Sequence, residues 1–493
     1  MNNKEISLNS TKDFSYFLIS MIFLKFLALI YLIAFISLWV QVIGLIGGNG
    51  ILPVHDYLES VRLRLGPLSF WFLPTLCWFN ASDVFLHFLC GVGAILSILI
   101  LFNMSPIVRS VILFFLWLIY LSLVTVSRDF LGFQWDNLLL ETGFLSIFLP
   151  STSRPLFVWL LRLLLFKLMF FSGVVKLLSG DPAWRNLTAL TYHYLTQPLP
   201  NVISYYVYWL PVWFHKLSCF LMFVMELVVP FFIFLNRKLR ICSCIVLVIF
   251  QVLIMITGNY CFFNLLTIAL CLFLLEDDIF SGWIRIENSH GKSLRWHNFF
   301  VYPLIAIILI VNIMLFARLL QIQINWPLPF KAIYSWVSPF RTINSYGLFA
   351  IMTTTRPEII MEGSNDGMNW FAYEFKYKPG DLKSPPLFVA PHQPRLDWQM
   401  WFAALGNYQS NPWFVSLCIR LLQGSKDVIK LIDKNPFPDS PPKYIRALFY
   451  DYHFSDFGKK EKTGEWWRRE LKGLYFPPVI LENDRLRIAQ VQN

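Results

Sequence analysis

Seven long apolar stretches in the first 320 residues limit what this chain can fold into more than any other feature. A helix rises 1.5 Å per residue, so roughly 20 apolar residues are needed to cross about 30 Å of hydrocarbon. The stretches that approach or exceed this length are residues 16–45, 81–102, 107–126, 156–178, 217–235, 241–257 and 299–320. They predict an α-helical polytopic membrane domain.

Two shorter apolar runs, residues 138–149 and 261–275, leave the number of crossings open. At this length a buried core helix, a re-entrant segment and a tilted span have the same pattern. We therefore expect eight or nine transmembrane helices. The first stretch is about 30 residues long and has no small-residue cleavage pattern, which indicates an uncleaved span rather than a signal peptide.

A change in composition near Gln321 divides the chain into two parts. Charged residues make up about 11% of the sequence before this point and about 21% after it, close to the level of about 25% in soluble proteins. Sixteen of the 28 prolines also follow it, as expected of a loop-rich fold. We predict a membrane domain over residues 1–320 and a soluble β-rich domain over residues 321–493.

The second part contains local signals for both strands and helices. Residues 357–375 have a strand–turn–strand pattern around an Asp-Gly step, and residues 444–452 alternate aromatic and polar side chains. Residues 398–405 and 412–423 have helical spacing, and the second run is followed by a glycine. This order predicts a β-sandwich-like α+β domain.

The net charge of +11 bears on topology rather than on nucleic acid. The basic excess is spread along the chain without a dense stripe, so a nucleic-acid partner is not expected. Its densest short cluster is Arg237, Lys238 and Arg240, and basic loops stay in the cytoplasm. This orientation places the loop 179–216 outside and makes the C-terminal domain extracytoplasmic. An N-terminus in the cytoplasm then requires residues 138–149 to cross.

Ionisable residues inside the apolar stretches are candidates for function because each costs roughly 2.5–3.5 kcal/mol to insert. They are Lys25, Asp136, Glu141, Arg162, Lys167, Lys176 and Glu226. Each could equally form a structural ion pair or snorkel to the interface. Asp136 and Glu141 could neutralise Arg162 or Lys167 across a helix pair.

The predicted external loop is dense in hydrogen-bonding and aromatic side chains. Asp181 precedes a proline and marks a helix start. The candidate binding residues here are Asp181, Trp184, Arg185, Asn186 and His193. The same residue types suit a polar site facing a cavity or an amphipathic helix at headgroup level, and the pattern does not separate the two.

Motifs for metal, nucleotide and hydrolase chemistry are absent from the sequence. There is no Cys-x-x-Cys among the eight cysteines, no His-Glu-x-x-His, no phosphate-binding glycine loop and no Gly-x-Ser-x-Gly. Only Cys418 lies in the predicted external domain, so a disulfide cannot form within that domain. We predict no metal ion and no cofactor.

Several longer sequence segments resemble those of the lipase maturation factor family, and the resemblance covers most of residues 40–478. They are Trp135-Asp-Asn-Leu-Leu-Leu-Glu-Thr-Gly-Phe144, Gly180-Asp-Pro-Ala-Trp-Arg-Asn-Leu-Thr-Ala-Leu190, Tyr192-His-Tyr-Leu-Thr-Gln-Pro-Leu-Pro200 and Ala390-Pro-His-Gln-Pro-Arg-Leu-Asp-Trp398. The resemblance implies a multi-pass membrane protein that helps secreted client proteins such as lipases to fold or assemble. It implies the endoplasmic reticulum membrane in a eukaryote or the inner membrane in a bacterium, with membrane lipid as a further partner.

The membrane part also resembles, more distantly, vitamin K-dependent γ-carboxylase. The likeness includes Trp135 to Asp136 and Gly173-Val-Val-Lys-Leu177. It implies an alternative function, an embedded enzyme acting with a hydrophobic cofactor or lipid, in which Lys176 is the catalytic base. Asp136, Glu141 and Arg185 would then surround the same pocket. The chain departs from that enzyme in having a single lysine here and no histidine within residues 128–150.

A Pro- and Trp-rich segment of the C-terminal part is the predicted client-binding surface. Its candidate residues are His392, Arg395, Asp397 and Trp398. Aromatic and arginine side chains dominate binding energy at interfaces, which favours client contact. The alternative is that these residues hold the domain together.

Overall fold

The computed structural model describes residues 16–151, 154–279 and 298–489, so the predicted cytoplasmic N-terminus lies outside the described residues. The helices of the first part are α1 (Phe17–Trp39), α2 (Val42–Ile46), α3 (Val54–Leu65), α4 (Ser69–Phe72), α5 (Asp83–Ile100), α6 (Pro106–Ser127), α7 (Gln134–Ser146), α8 (Arg154–Leu178), α9 (Pro182–Arg185), α10 (Ala189–Thr196), α11 (Val202–Tyr208), α12 (Val212–Leu227), α13 (Arg237–Thr257), α14 (Phe263–Cys271) and α15 (Asn298–Leu319). The later helices are α16 (Leu328–Val337), α17 (Arg395–Ala404), α18 (Pro412–Leu422), α19 (Lys426–Ile429) and α20 (Phe457–Thr463). The strands are β1 (Pro357–Ser364), β2 (Phe371–Ala372), β3 (Glu374–Phe375), β4 (Ile432–Lys434), β5 (Tyr444–Phe454), β6 (Trp467–Glu482) and β7 (Arg485–Ile488).

Seven helices within the described residues are long and apolar enough to cross a membrane: α1, α5, α6, α8, α12 with the 3₁₀ turn that continues it, α13 and α15. Each corresponds to one of the seven predicted stretches. Their exposed residues are largely apolar, such as Phe220 on α12 and Ile249 on α13. The prediction of a multi-pass integral membrane protein is confirmed.

The starts of α1, α8 and α13 meet at one end of this bundle, which we call the basic end. The Asp277 carboxylate accepts hydrogen bonds from the backbone N–H groups of Leu18 (3.1 Å) and Ile19 (2.9 Å), so it caps α1. Arg240 forms an ion pair with Glu276 beside it. At the opposite end, which we call the docked end, α1 contacts the C-terminal domain.

The shorter helices α7 and α14 run between the same two ends. At the docked end α7 carries Asp136, and the chain that follows it accepts a hydrogen bond at the Ile147 carbonyl from Ser110, near the basic end of α6. Likewise, Asn259 before α14 contacts the C-terminal domain, whereas Glu276 after it lies at the basic end. Both helices are largely buried, so longer helices shield their polar side chains from lipid. The expected eight or nine crossings are therefore an approximate count, made of seven long helices and these two short ones.

The C-terminal domain is built on a five-stranded antiparallel sheet with the order β2-β1-β5-β6-β7. A separate two-stranded sheet joins β3 to β4, and α17 and α18 pack against the larger sheet. The predicted strands and helices are present, and the α+β fold class is confirmed. Strand β6 was not predicted from the sequence. Residues 468–474 are all exposed in the structure, so this part of the strand lacks the alternation of apolar and polar residues that marks a half-buried strand. The domain boundary near Gln321 stays a prediction.

Candidate functional site

A buried ion pair joins the C-terminal domain to the membrane bundle. The guanidinium of Arg395, at the start of α17, donates to both carboxylate oxygens of Asp136, at 2.6 and 2.8 Å. The Tyr120 hydroxyl donates to the same carboxylate at 2.6 Å. The Arg395 and Asp136 side chains are 1% and 0% exposed. A bidentate pair in this environment fixes the orientation of two groups that could not be buried separately.

The segment before Arg395 binds the docked end of α1 through a short hydrogen-bond network. Gln41 accepts from the Arg395 backbone N–H (2.9 Å) and donates to the Gln393 carbonyl (2.7 Å). Ser37 Oγ accepts from the Gln393 N–H and lies 2.9 Å from His392 Nδ1. These contacts satisfy polar groups of a proline-rich turn that is buried between the domains.

A second buried ion pair lies between α7 and α8. Lys167 Nζ is 2.5 Å from Glu141 Oε1, which confirms the expectation that Lys167 can neutralise Glu141. The other carboxylate oxygen of Glu141 accepts from the Asn344 N–H (2.9 Å) and the Tyr346 hydroxyl (2.8 Å). Arg162 instead donates to the Phe273 carbonyl and the Tyr16 hydroxyl. The Glu141 carboxylate thereby connects the bundle to the segment that leads into the C-terminal domain.

The predicted external loop lies beneath the C-terminal domain. Asp181 caps α9 as predicted by accepting from Ala183 N–H, and its other oxygen accepts from Met352 N–H at 2.6 Å. The Trp184 indole donates to the Phe349 carbonyl. Arg185 and Asn186, by contrast, are exposed. The loop therefore has two parts, one that holds the domain and one that faces solvent.

Arg356 binds the later part of this loop to the C-terminal domain. Its role was not predicted from the sequence. Its guanidinium donates to the carbonyls of Leu195 and Gln197 at 2.6 Å and of Pro198 at 3.0 Å, and it also pairs with Glu358 at 2.8 Å. Burial lowers its pKa. The available signal was the pair of charged residues 356 and 358 at the start of β1, although charges at this spacing more often belong to a solvated face.

The predicted exposed client surface is buried, which corrects that expectation. Arg395, Asp397 and Trp398 are 1–3% exposed, and His392 is partly buried. Asp397 accepts from the backbone N–H groups of Tyr377 and Lys378, and Trp398 packs on the ring of Trp135 at 4.9 Å. Arginine and tryptophan occur in buried domain junctions as well as on exposed binding surfaces. The residue types in this segment therefore could not distinguish a junction from a client-binding surface.

A cavity of about 340 Å³ surrounds Lys176 near the docked end of α8. The Lys176 ammonium lies 2.7 Å from both carboxylate oxygens of Glu226 and 5.4 Å from the centre of the Trp184 ring. His193 also lines the cavity, with its Nε2 2.9 Å from the Tyr260 hydroxyl. Burial and the Lys176 charge lower the pKa of His193 to about 4, so it is neutral at physiological pH.

The four residues of the enzyme alternative do not converge on this cavity. Lys176 lines it, whereas Asp136, Glu141 and Arg185 do not. The carboxylates of Asp136 and Glu141 already bind Arg395 and Lys167, respectively. Within residues 16–151, 154–279 and 298–489 there is also no cluster of three side chains suited to a metal ion. The geometry supports ion pairs that hold helices and domains together.

Comparison with known proteins identifies the family. Residues 18–282 match the lipase maturation factor transmembrane domain, and residues 342–477 match the lipase maturation factor C-terminal domain. The chain is 36% identical to lipase maturation factor 2 of Xenopus laevis over 94% of its own length and 82% of that relative. The chain belongs to the lipase maturation factor family. The γ-carboxylase-like alternative is not favoured by these similarities.

Other relatives of this lipase maturation factor family member span both named types. Lipase maturation factor 2 of Homo sapiens is 36% identical over 94% of the chain and 83% of the relative, and lipase maturation factor 1 of Bos taurus is 34% identical over 96% and 90%. No solved structure matches the chain. Asp136 lies in the matched transmembrane domain and Arg395 in the matched C-terminal domain, so their ion pair connects the two family domains.

Proposed function

We propose that this protein is a membrane maturation factor that helps secreted lipases to fold or assemble. The observation that carries the proposal is the similarity, over 93–96% of the chain, to relatives named lipase maturation factor 1 and 2. The C-terminal domain is the part that meets the client. It resides on the luminal side of the endoplasmic reticulum membrane in a eukaryote, or on the periplasmic side of the inner membrane in a bacterium.

The distribution of charge supports this orientation. The basic end carries Arg237, Lys238 and Arg240 in the first turn of α13, directly after the short connection from α12, together with Arg154 at the start of α8. Short basic connections are retained in the cytoplasm. Because the C-terminal domain contacts the opposite end of the bundle, through Asp136 and Gln41, it lies outside the cytoplasm.

Exposed apolar side chains of the C-terminal domain are the proposed client contacts. Because the segment around Arg395 is buried, client binding needs another surface. Met368 is 75% exposed and Phe371 is 56% exposed near the sheet edge formed by β2, and Leu471 and Leu474 on β6 are more than half exposed. Apolar and aromatic groups of this kind supply much of the energy of a protein interface.

Rescue of a lipase tests the proposal. In cells from which the endogenous lipase maturation factors have been deleted, expression of this chain together with a secreted lipase should raise the lipase activity per mass of secreted lipase. Exchanging Met368 and Phe371 for serine should reduce the rescue while leaving the amount of membrane protein unchanged. Exchanging Phe220 on the lipid-facing side of α12 for leucine is the matched control. Unchanged specific activity with the unmodified chain, at normal expression, would refute the proposal.

A further inference from the structure

The cavity around Lys176 has a mouth that opens sideways into the membrane. Leu221 on α12 and Leu253 on α13 both line it, and both are about half exposed on the outer face of the bundle, at 45% and 52%. These two helices are joined at the basic end, and the cavity lies between their halves nearer the docked end. A molecule can therefore enter from the lipid leaflet on the side of the C-terminal domain.

Where the bundle meets the C-terminal domain, the cavity is lined by side chains of two other segments. His193 and Tyr194 of α10 form part of its lining, and Phe349 from the segment before β1 adds to it. The ring of Phe349 lies 5.1 Å from that of His193. Most other lining side chains are apolar, including Met222 and Met225, and the volume of about 340 Å³ falls in the range of roughly 300–1,000 Å³ for small-ligand sites.

The polar groups in the cavity carry no net charge. Lys176 and Glu226 neutralise each other, and His193 is uncharged at physiological pH. A charged headgroup would leave one of these ions without a partner in a medium of low dielectric constant. An uncharged headgroup avoids this cost.

Hydrogen-bonding capacity nevertheless remains free for a ligand. The Tyr194 hydroxyl has no hydrogen-bond partner among the described residues, and the Lys176 ammonium has a third N–H beyond the two bonds to Glu226. A hydroxyl or an ester carbonyl can bind either group.

We propose that this cavity binds an uncharged long-chain lipid of the monoacylglycerol class, taken from the surrounding leaflet. Its acyl chain lies along Met222 and Leu253 and leaves through the mouth, and its hydroxyl and ester groups contact Lys176 and Tyr194. The site is independent of the proposed lipase clients, because it rests on no contact with a client.

Photolabelling of the full chain tests the site. The purified protein in phosphatidylcholine nanodiscs is irradiated with a monoacylglycerol that carries a diazirine in its acyl chain, and the labelled peptides are identified by mass spectrometry. Label should concentrate on α12 and α13, and excess unlabelled monoacylglycerol should remove it. Competition by an equal amount of an ionised fatty acid should be weak. Equal competition by both, or label spread over all lipid-facing helices, would overturn the proposal.

Two variants and a matched control localise the binding. Met225→Trp fills the cavity and should lower the labelling about tenfold. Phe220→Trp introduces the same indole ring on the lipid-facing side of α12 and should leave the labelling unchanged. Tyr194→Phe removes only the free hydroxyl and should weaken competition by monoacylglycerol about fivefold. Equal labelling of the two tryptophan variants would refute the site. If Met225→Trp does not fold, Tyr194→Phe decides, because an unchanged competition curve contradicts the headgroup contact.

Discussion

Arg395 and Asp136 are 259 residues apart in the chain, yet their side chains form one bidentate ion pair at the contact between the two domains. The pair is almost inaccessible to solvent. The position of the C-terminal domain therefore depends on a buried charge that each domain supplies to the other. Separating the domains would remove the Arg395 guanidinium from the Asp136 carboxylate, which among the described residues would keep only the hydrogen bond from Tyr120 within the membrane bundle.

Removing one member of this pair should destabilise the protein strongly. Arg395→Met leaves the Asp136 carboxylate buried without a counter-charge, so we expect a loss of about 3–5 kcal/mol in the free energy of unfolding. Pulse proteolysis in detergent micelles measures it. The double variant with Asp136→Leu should recover most of the loss. Arg446→Met is the control, because its pair with Glu362 is partly exposed and should cost only about 1 kcal/mol. Equal losses for the two single variants would contradict this account.

Glu141 should contribute to stability through both of its oxygens. Glu141→Gln leaves the Lys167 ammonium without a carboxylate, so we expect a loss of about 3 kcal/mol. Tyr346→Phe removes only one hydrogen bond to the same carboxylate and should cost about 1.5–3 kcal/mol. The same proteolysis assay measures both. If the double variant loses as much free energy of unfolding as the two single variants together, the two residues act independently. That result would contradict a shared network around the Glu141 carboxylate.

Arg356 should not be replaceable by lysine. Its planar guanidinium donates to three carbonyl groups of the loop and to Glu358, and a lysine ammonium cannot reproduce that geometry. We expect Arg356→Lys to lower the free energy of unfolding by about 2–4 kcal/mol. Arg469→Lys is the control, because the Arg469 side chain makes one hydrogen bond within the described residues, to the Tyr452 hydroxyl. If Arg356→Lys is as stable as the unmodified protein, a positive charge at this position is enough to hold the loop, and the planar geometry of the guanidinium is not needed.

Acidification should act on the domain junction through His392. Burial, with the Arg395 and Lys376 charges nearby, lowers the pKa of His392 from 6.5 to about 4. As the pH falls, His392 is therefore protonated in the unfolded chain before it is protonated in the folded protein. The stability that neutral His392 contributes is lost as the pH falls from about 6.5 towards 4. His193, whose pKa is also about 4, has the same sign. Asp397 has the opposite sign, because burial raises its pKa to about 6 and protonation favours the folded state between pH 6 and 4.

The variant His392→Gln separates these contributions. Glutamine can still bind the Ser37 hydroxyl but cannot take up a proton, so the loss of stability below pH 6.5 should become smaller. Melting temperatures of the purified protein between pH 7.5 and 4.5 measure the slope. Asp397→Asn should steepen the loss of stability, because it removes the opposing contribution. A pH profile that is unchanged in His392→Gln would exclude His392 as a titrating group of the junction.

Some parts of the candidate site could be predicted from the sequence. Glu141 and Lys167 stand out as charges in apolar helices, and the cost of burying either one alone predicts that each has a partner of opposite charge. The helix start at Asp181 follows from the proline after it. The sequence also singles out Arg395 but does not show that it is buried, because arginine beside tryptophan fits an open interface and a closed one equally well. Arg356 was missed, since three partners of its guanidinium are backbone carbonyls, which any sequence contains, and within the described residues only Glu358 supplies a polar side chain.

The sequence by itself determined the class of fold: seven long apolar helices, followed by a domain of antiparallel strands and helices. These features depend on hydrophobic patterns within single segments, where water, lipid and backbone hydrogen bonding act on neighbouring residues. Only the tertiary structure decided which charge meets which, that α7 and α14 are shielded inside the bundle, and that a cavity lies between α12 and α13. Ion pairs and cavities depend on distances of a few ångströms between remote segments, and no local pattern encodes those distances.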